Sequence, residues 1–195
     1  MLMAGGMFTN RPKNTTGWYD PSTGRYCDLP PLQRWRHSDT GFTACGGTYD
    51  GGPSYTQMCV TFNISSGQWE KTHSIPPLSA HLSWKTSRGI LLLGGWNNYN
   101  GFSMKTILLL PDGNTQDGPF DLVRPSGYSC AIEDPRSSSV IVLGGLCYKN
   151  GSIQYLTNVE RYNETGHMES LPGLNNPRSG GCAGYYTSDG NLVIC

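Results

Sequence analysis

The chain has little charge of either sign. Lysine plus arginine number 14, aspartate plus glutamate 14, and only 14% of the 195 residues are charged. The formal net charge is zero. That leaves no electrostatic footprint for nucleic acid or for an anionic membrane surface. No apolar run reaches the ~18 residues of a membrane-spanning helix. Histidine is scarce: His37, His73, His81 and His167 are the whole set, and no two stand at metal-ligand spacing. A nucleophile elbow and a phosphate-binding loop are both missing. No metal, no cofactor and no enzymatic activity are therefore expected.

Glycine, in contrast, is abundant at 26 residues. Its placement carries the first positive signal. A glycine pair closes a short apolar run at Gly5-Gly6, Gly46-Gly47, Gly94-Gly95 and Gly144-Gly145. The pairs lie 41, 48 and 50 residues apart, and the final run, Leu192 to Cys195, ends where a fifth pair would fall. A fixed period of this length marks a stack of similar units. The units read 5–45, 46–93, 94–143 and 144–195, all within one domain of 195 residues.

Further landmarks recur inside each unit. A polar stretch follows the glycines. Then an aromatic or apolar residue precedes Asp or Asn, with a glycine three or four residues on and a bulky residue after it. The instances are Tyr19-Asp20 to Gly24 and Tyr26, Phe62-Asn63 to Gly67 and Trp69, and Tyr162-Asn163 to Gly166 and Met168. Unit three is looser, from Leu110-Pro111 to Gly118 and Phe120. A Leu/Ile-Pro step follows at Leu29-Pro30, Ile75-Pro76 and Leu171-Pro172.

This is the pattern of a four-stranded antiparallel sheet, repeated. The apolar runs suit strands buried on both faces. The glycine pairs supply positive φ and close backbone approach. The Asp/Asn-to-Gly segment is hairpin chemistry. Tyr26 and Trp69 recur in register and read as core. Each sheet has two bare faces, which radial packing of neighbours covers.

The combination of apolar run, Gly-Gly, Tyr/Phe-Asp/Asn and Gly-x-Trp resembles the Kelch repeat, over essentially the whole chain. The resemblance implies an all-β fold: a β-propeller of about four Kelch-type blades, strands A to D, with Gly-Gly ending strand B. It also implies that the chain is part of a six- or seven-bladed ring. A four-bladed ring and a ring-completing dimer are the alternatives. Strand A near Arg36–Gly41 is expected to be curtailed, and irregular geometry is expected in unit three, which lacks a Leu-Pro step.

The blade positions bear on the seven cysteines. Cys130 and Cys182 fall in strand A, and Cys45 and Cys195 end strand B. Cys182–Cys195 and Cys130–Cys147 are then candidate A–B bridges. Cys45–Cys59 is a candidate B–C bridge, with Cys27–Cys45 its rival. Buried reduced cysteine is the alternative to all of them. Sequons stand at Asn14, Asn63, Asn150 and Asn163, two of them at one C–D turn position, where Asn is also simply a good turn residue. Bridges and sequons together point to a secreted or extracellular protein, with a cytoplasmic one as the alternative.

In the Kelch topology the B–C and D–A loops share one face. The candidate ligand residues there are Trp96, Asn97, Tyr99, Asn100 and Tyr148 from B–C loops. The D–A loops offer Arg34, Arg36, His37, His81, Arg124 and Arg178. Aromatic and arginine side chains make interface hot spots. Trp96 and Tyr99 break the repeat, which favours function. The arginines serve equally as braces between blades, as Arg36 and Arg178 recur in register. The expected function is a binding scaffold for a protein ligand, with carbohydrate a possible one. The alternatives implied by the resemblance are an intracellular Kelch adaptor of ubiquitin-ligase type and a galactose-oxidase-like oxidoreductase or inactive relative.

Overall fold

The structure is a computed structural model. It describes residues 2–4, 7–8, 11–12, 15–20, 22–31, 39–40, 43–49, 54–97, 101–134, 136–180, 184–186, 189 and 191–194. The described residues form strands and turns, and the strands pair in antiparallel ladders. They divide into two compact units. One is Met1–Ala80 with two short outlying segments, 97–99 and 113–115; the other is the remainder.

In the first unit β1 (Leu2–Ala4) is followed by a small ribbon, β2 (Met7–Phe8) and β3 (Arg11–Pro12). β4 (Thr16–Asp20) and β5 (Arg25–Leu29) complete a three-stranded sheet in the order β1-β4-β5. The next sheet begins with β6 (Asp39–Thr40) and β7 (Thr43–Cys45); the rest of the stretch expected to hold a curtailed strand A lies outside the described residues. A ribbon of β8 (Thr48–Tyr49) and β9 (Ser54–Tyr55) intervenes before β10 (Met58–Asn63) and β11 (Gln68–Ser74). Ala44, Val60 and Trp69 form the local core. Trp69 donates its indole N–H to the Pro30 carbonyl at 2.8 Å. Tyr26 departs from expectation. It is 50% exposed, because it lies on the open face of the first sheet over Gly17, where any Cβ would strike its ring.

Two four-stranded sheets follow along the chain. One comprises β12 (Leu82–Thr86), β13 (Gly89–Leu93), β16 (Thr106–Leu109) and β17 (Thr115–Asp117), interrupted by the ribbon β14 (Trp96–Asn97) and β15 (Gly101–Phe102). The looser third repeat therefore still forms a C–D hairpin, turning at Gly113 with φ 89°. The other sheet comprises β18 (Cys130–Asp134), β19 (Ser139–Leu143), β22 (Val159–Asn163) and β23 (Met168–Leu171), interrupted by β20 (Leu146–Lys149) and β21 (Ser152–Tyr155). A last pair, β24 (Gly184–Tyr186) and β25 (Leu192–Ile194), follows.

The two sheets pack through alternate residues of their central strands. Leu91 and Leu93 meet Val140, Val142 and Tyr162, with Trp84, Leu108 and Leu122 around them. The opposite face of β19, Ile141 and Leu143, packs with Cys130, Ile132 and Val159. Both faces of this strand are buried, which is why its sequence is continuously apolar rather than alternating.

The three described glycine pairs have one geometry; Gly5-Gly6 lies outside the described residues. Gly46 and Gly47 take φ of 57° and 94°, Gly94 and Gly95 61° and 96°, Gly144 and Gly145 60° and 98°. In each, the first N–H bonds back to the third long strand's entry: Met58 O at 3.1 Å, Lys105 O at 3.0 Å, Asn158 O at 2.9 Å. The second N–H bonds to the connection leaving the same sheet: Leu78 O at 2.8 Å, Ser126 O at 2.8 Å, Arg178 O at 2.6 Å. The pair thus fastens the inserted ribbon to the outgoing connection, a role side chains at these φ values would obstruct.

Candidate functional site

Each polar stretch after a glycine pair proves to be a two-stranded ribbon, and two of these ribbons make an aromatic surface. Residues 126–127 hold them together. Ser126 accepts from Gly95 N–H and donates its own N–H to Ser103 O at 3.3 Å, at the base of β14–β15. Gly127 exchanges two bonds with Leu146 at the start of β20, at 3.1 and 2.8 Å. The ribbons are thereby set side by side.

Their rings then meet. Trp96 and Phe102 pack edge-on at 4.9 Å between centroids. Tyr148 of β20 closes the group, 5.5 Å from Trp96 and 5.6 Å from Phe102. Gly101, with φ 78°, allows the turn beneath, and a Cβ there would lie 3.8 Å from the Trp96 ring. Trp96 and Phe102 are half-buried, whereas Tyr148 is 47% exposed. The register pairs Tyr148 with Ile153 and Leu146 with Tyr155. Ile153 (49% exposed) and Tyr155 (63%) therefore continue the same face outward. Large exposed apolar side chains are here gathered on one face rather than scattered singly.

The structure thus brings Trp96 and Tyr148 together. Asn97 is half-buried at the end of β14. Tyr99, Asn100, Arg34, Arg36 and His37 lie outside the described residues. Phe102, Ile153 and Tyr155 were not singled out from sequence. The strict alternation Ile153-Gln154-Tyr155 behind the turn pair Asn150-Gly151 was the available signal.

The D–A candidates have separate roles. His81 is buried beside β12. Arg178 is exposed, but it does not match His81: its carbonyl occupies the position held by Leu78 and Ser126. The residue matching His81 is Ser129, whose hydroxyl donates to Gly144 O at 3.1 Å. The connections also share a left-handed residue, Ala80 (φ 51°), Tyr128 (φ 54°) and Gly180 (φ 89°). Arg124 braces the interior. Its Nε donates to buried Glu160 at 3.0 Å, and the Tyr162 hydroxyl donates to the other carboxylate oxygen at 2.7 Å. Burial, with the Glu160 charge added, pushes the Tyr162 phenol well above its ordinary pKa.

A second, shallow polar groove lies on the last four-stranded sheet, lined by Ser137, Ser139, Arg161, Asn163, His167 and Glu169. Arg161 bonds Glu169 at 2.9 Å and lies 3.6 Å from Asp134. Burial pushes the Asp134 carboxyl up, but bonds from Arg136 and Ser137 outweigh it and hold it below the usual range.

The sequons differ in engagement. Asn63 accepts from Ser65 N–H at 2.9 Å and donates its amide to Glu70 at 2.9 Å. Asn163 accepts from the Thr165 and His167 N–H groups at 3.1 and 2.8 Å. Asn150 is exposed at a turn with φ 53°. Asn14 is outside the described residues. Among the cysteines, Cys45 and Cys59 stand opposite one another on β7 and β10 and are joined. The Cys130–Cys147 pairing is corrected: Cys147 is a free thiol, whereas Cys130 is disulfide-bonded. Cys147 is in the ribbon, paired with Gln154 and half-buried, not on the strand beside Cys130. Cys27 is a free, exposed thiol, which removes the Cys27–Cys45 rival. Cys182 and Cys195 are outside the described residues. A formed disulfide suits an oxidising environment.

No family model matches the chain, and no curated protein does. Among solved structures, one described as "Structure of YjhT" shares its fold, with a TM-score of 0.75 and 14% identity. The match covers 100% of this chain and 76% of that one. At this identity the likeness concerns the fold alone. The described residues form no helix long and apolar enough to cross a membrane.

Proposed function

We propose that this chain is a Kelch-type β-propeller segment acting as an extracellular binding scaffold, which holds a protein ligand on its inserted ribbons. The observation that carries this reading is the Trp96–Phe102–Tyr148 cluster continuing into exposed Ile153 and Tyr155. Its aromatic content suits a hot-spot surface. The periodic glycine geometry supports the Kelch reading. The Cys45–Cys59 bond supports an oxidising compartment. A protein ligand is favoured over carbohydrate because the three rings are mutually tilted, at 83°, 59° and 41°, and continue into exposed aliphatic Ile153, an irregular apolar surface rather than a single flat platform.

The test is a comparison of the wild-type chain with Trp96→Ala and Tyr148→Ala variants on a random peptide display library and a glycan array. Peptide binding lost in both variants is the expected result. Glycan binding that depends on these residues, or peptide binding indifferent to them, overturns the assignment.

A further inference from the structure

The structure assigns a specific mode of capture to this surface: an extended peptide of a partner protein adds to the outer edge of β21 as a third strand. This rests on the binding-scaffold reading above and specifies its chemistry.

Leu146 sets the direction of the main-chain groups in this ribbon. Its N–H and C=O are both bonded to Gly127, on the side of β20 away from β21. In an antiparallel pair, residues directly opposite either both turn their main-chain groups inward or both turn them outward. Leu146 stands opposite Tyr155, so the N–H and C=O of Tyr155 point outward from the ribbon. Two residues back along the strand, Ile153 does the same. The turn gives the same register independently. Asn150 (φ 53°) and Gly151 (φ 77°) form a two-residue loop with positive φ at both positions, which makes Lys149 and Ser152 the hydrogen-bonded pair.

Among the described residues these outward groups have no main-chain partner; only the Ile153 carbonyl is touched, by the Gln154 side-chain amide at 3.2 Å. All four residues of β21 are exposed. The strand carries no proline and no charge, and its register with β20 is unbroken, so it lacks the usual devices that blunt a free edge. Alternating donors and acceptors at the spacing of a strand are matched by another extended backbone. The face beside that edge is apolar, through Tyr148, Ile153 and Tyr155, so alternate apolar side chains of the incoming strand would be buried there. The single charge on the ribbon is Lys149, at its turn end. An acidic residue at the matching end of the peptide complements it. The stretch 150–157 has no acid to offer, so a second copy of this edge lacks that complement.

The test uses the full chain and a displayed library of random heptapeptides, followed by binding measurements on the enriched peptides. The expected sequences alternate apolar residues and carry an acid at one end. N-methylation of one alternate set of peptide amides should weaken binding roughly tenfold or more, and methylation of the other set should not. Because the protein is untouched, misfolding cannot produce that result. Tyr155→Pro removes an outward donor without touching the β20 ladder and should weaken binding more than Tyr155→Ala. Lack of any enriched peptide overturns the proposal, as does concentration-dependent self-association that the peptides fail to compete. Binding lost in Tyr148→Ala yet indifferent to N-methylation overturns the edge pairing and leaves the aromatic surface standing. Indifference to both changes overturns both.

Discussion

Gly145 donates its N–H to the carbonyl of Arg178 at 2.6 Å, while a Cβ on Gly144 would collide with that same oxygen. The relationship recurs at Gly47 with Leu78 and at Gly95 with Ser126, so the repeating glycines hold each inserted ribbon to the connection leaving its sheet. Gly144→Ala combines a left-handed φ with a backbone clash. It should destabilise the chain by about 2–4 kcal/mol. Gly151→Ala has open space around its Cβ and only the φ penalty, so about 1 kcal/mol is expected. Denaturant unfolding of the two variants checks the difference; equal losses would contradict it.

The Cys45–Cys59 bond closes a loop of sequence separation 14. Replacing both cysteines with alanine should lower stability by about 3 kcal/mol. Cys27 is exposed and free, so it should be alkylated in the native, non-reduced protein well before half-buried Cys147. Peptide mapping after native alkylation reads both points. A Cys27–Cys45 linked peptide would contradict the assignment.

Asp20 caps the first C–D turn. Its carboxylate accepts from the Ser22 N–H and hydroxyl and from the Thr23 hydroxyl. Those bonds, the Ser22 hydroxyl foremost, lower its pKa to about 2 from 3.8. A depressed carboxylate stabilises the fold above its unfolded pKa, and the contribution is lost as pH falls from about 4 towards 2. Asp20→Asn should keep the turn, as Asn63 and Asn163 do, and remove that pH dependence. Following the Ser22 amide resonance against pH in both proteins is the check.

Tyr162 links buried Glu160 to exposed Val123: it donates to Glu160 and accepts from the Val123 N–H at 3.1 Å. Its ring also stacks on Phe120, 5.2 Å away with 6° between planes. Tyr162→Phe keeps the stack and leaves the Val123 N–H and one Glu160 oxygen unsatisfied. A loss of about 1–3 kcal/mol is expected in denaturant unfolding.

Much of this architecture was legible in the sequence because it depends on local chemistry. The apolar runs before Gly46, Gly94 and Gly144 became strands buried on both faces. Asp20, Asn63 and Asn163 became side-chain-capped turns because their oxygens bond the N–H two residues on. What was not legible depended on register between segments. Arg178 and His81 were grouped only as D–A loop candidates, and the hydrogen bonds align Arg178 with Leu78. Cys147 looked placed for Cys130 until the ribbon removed it to another pair of strands. Phe102, Ile153 and Tyr155 lie on short ribbons whose existence follows from the turn at Asn150-Gly151 and from the bridge at residues 126–127, not from any long periodic run.

The central claim is that the ribbons of the second unit form the binding surface. Hydrogen exchange on the chain, free and bound to an enriched peptide, tests it most directly. The account predicts new protection at residues 152–155 and around Trp96, Phe102 and Tyr148, with the C–D turns at Asn63 and Asn163 unchanged. Protection at those turns, with the ribbons exchanging as in the free chain, would contradict it.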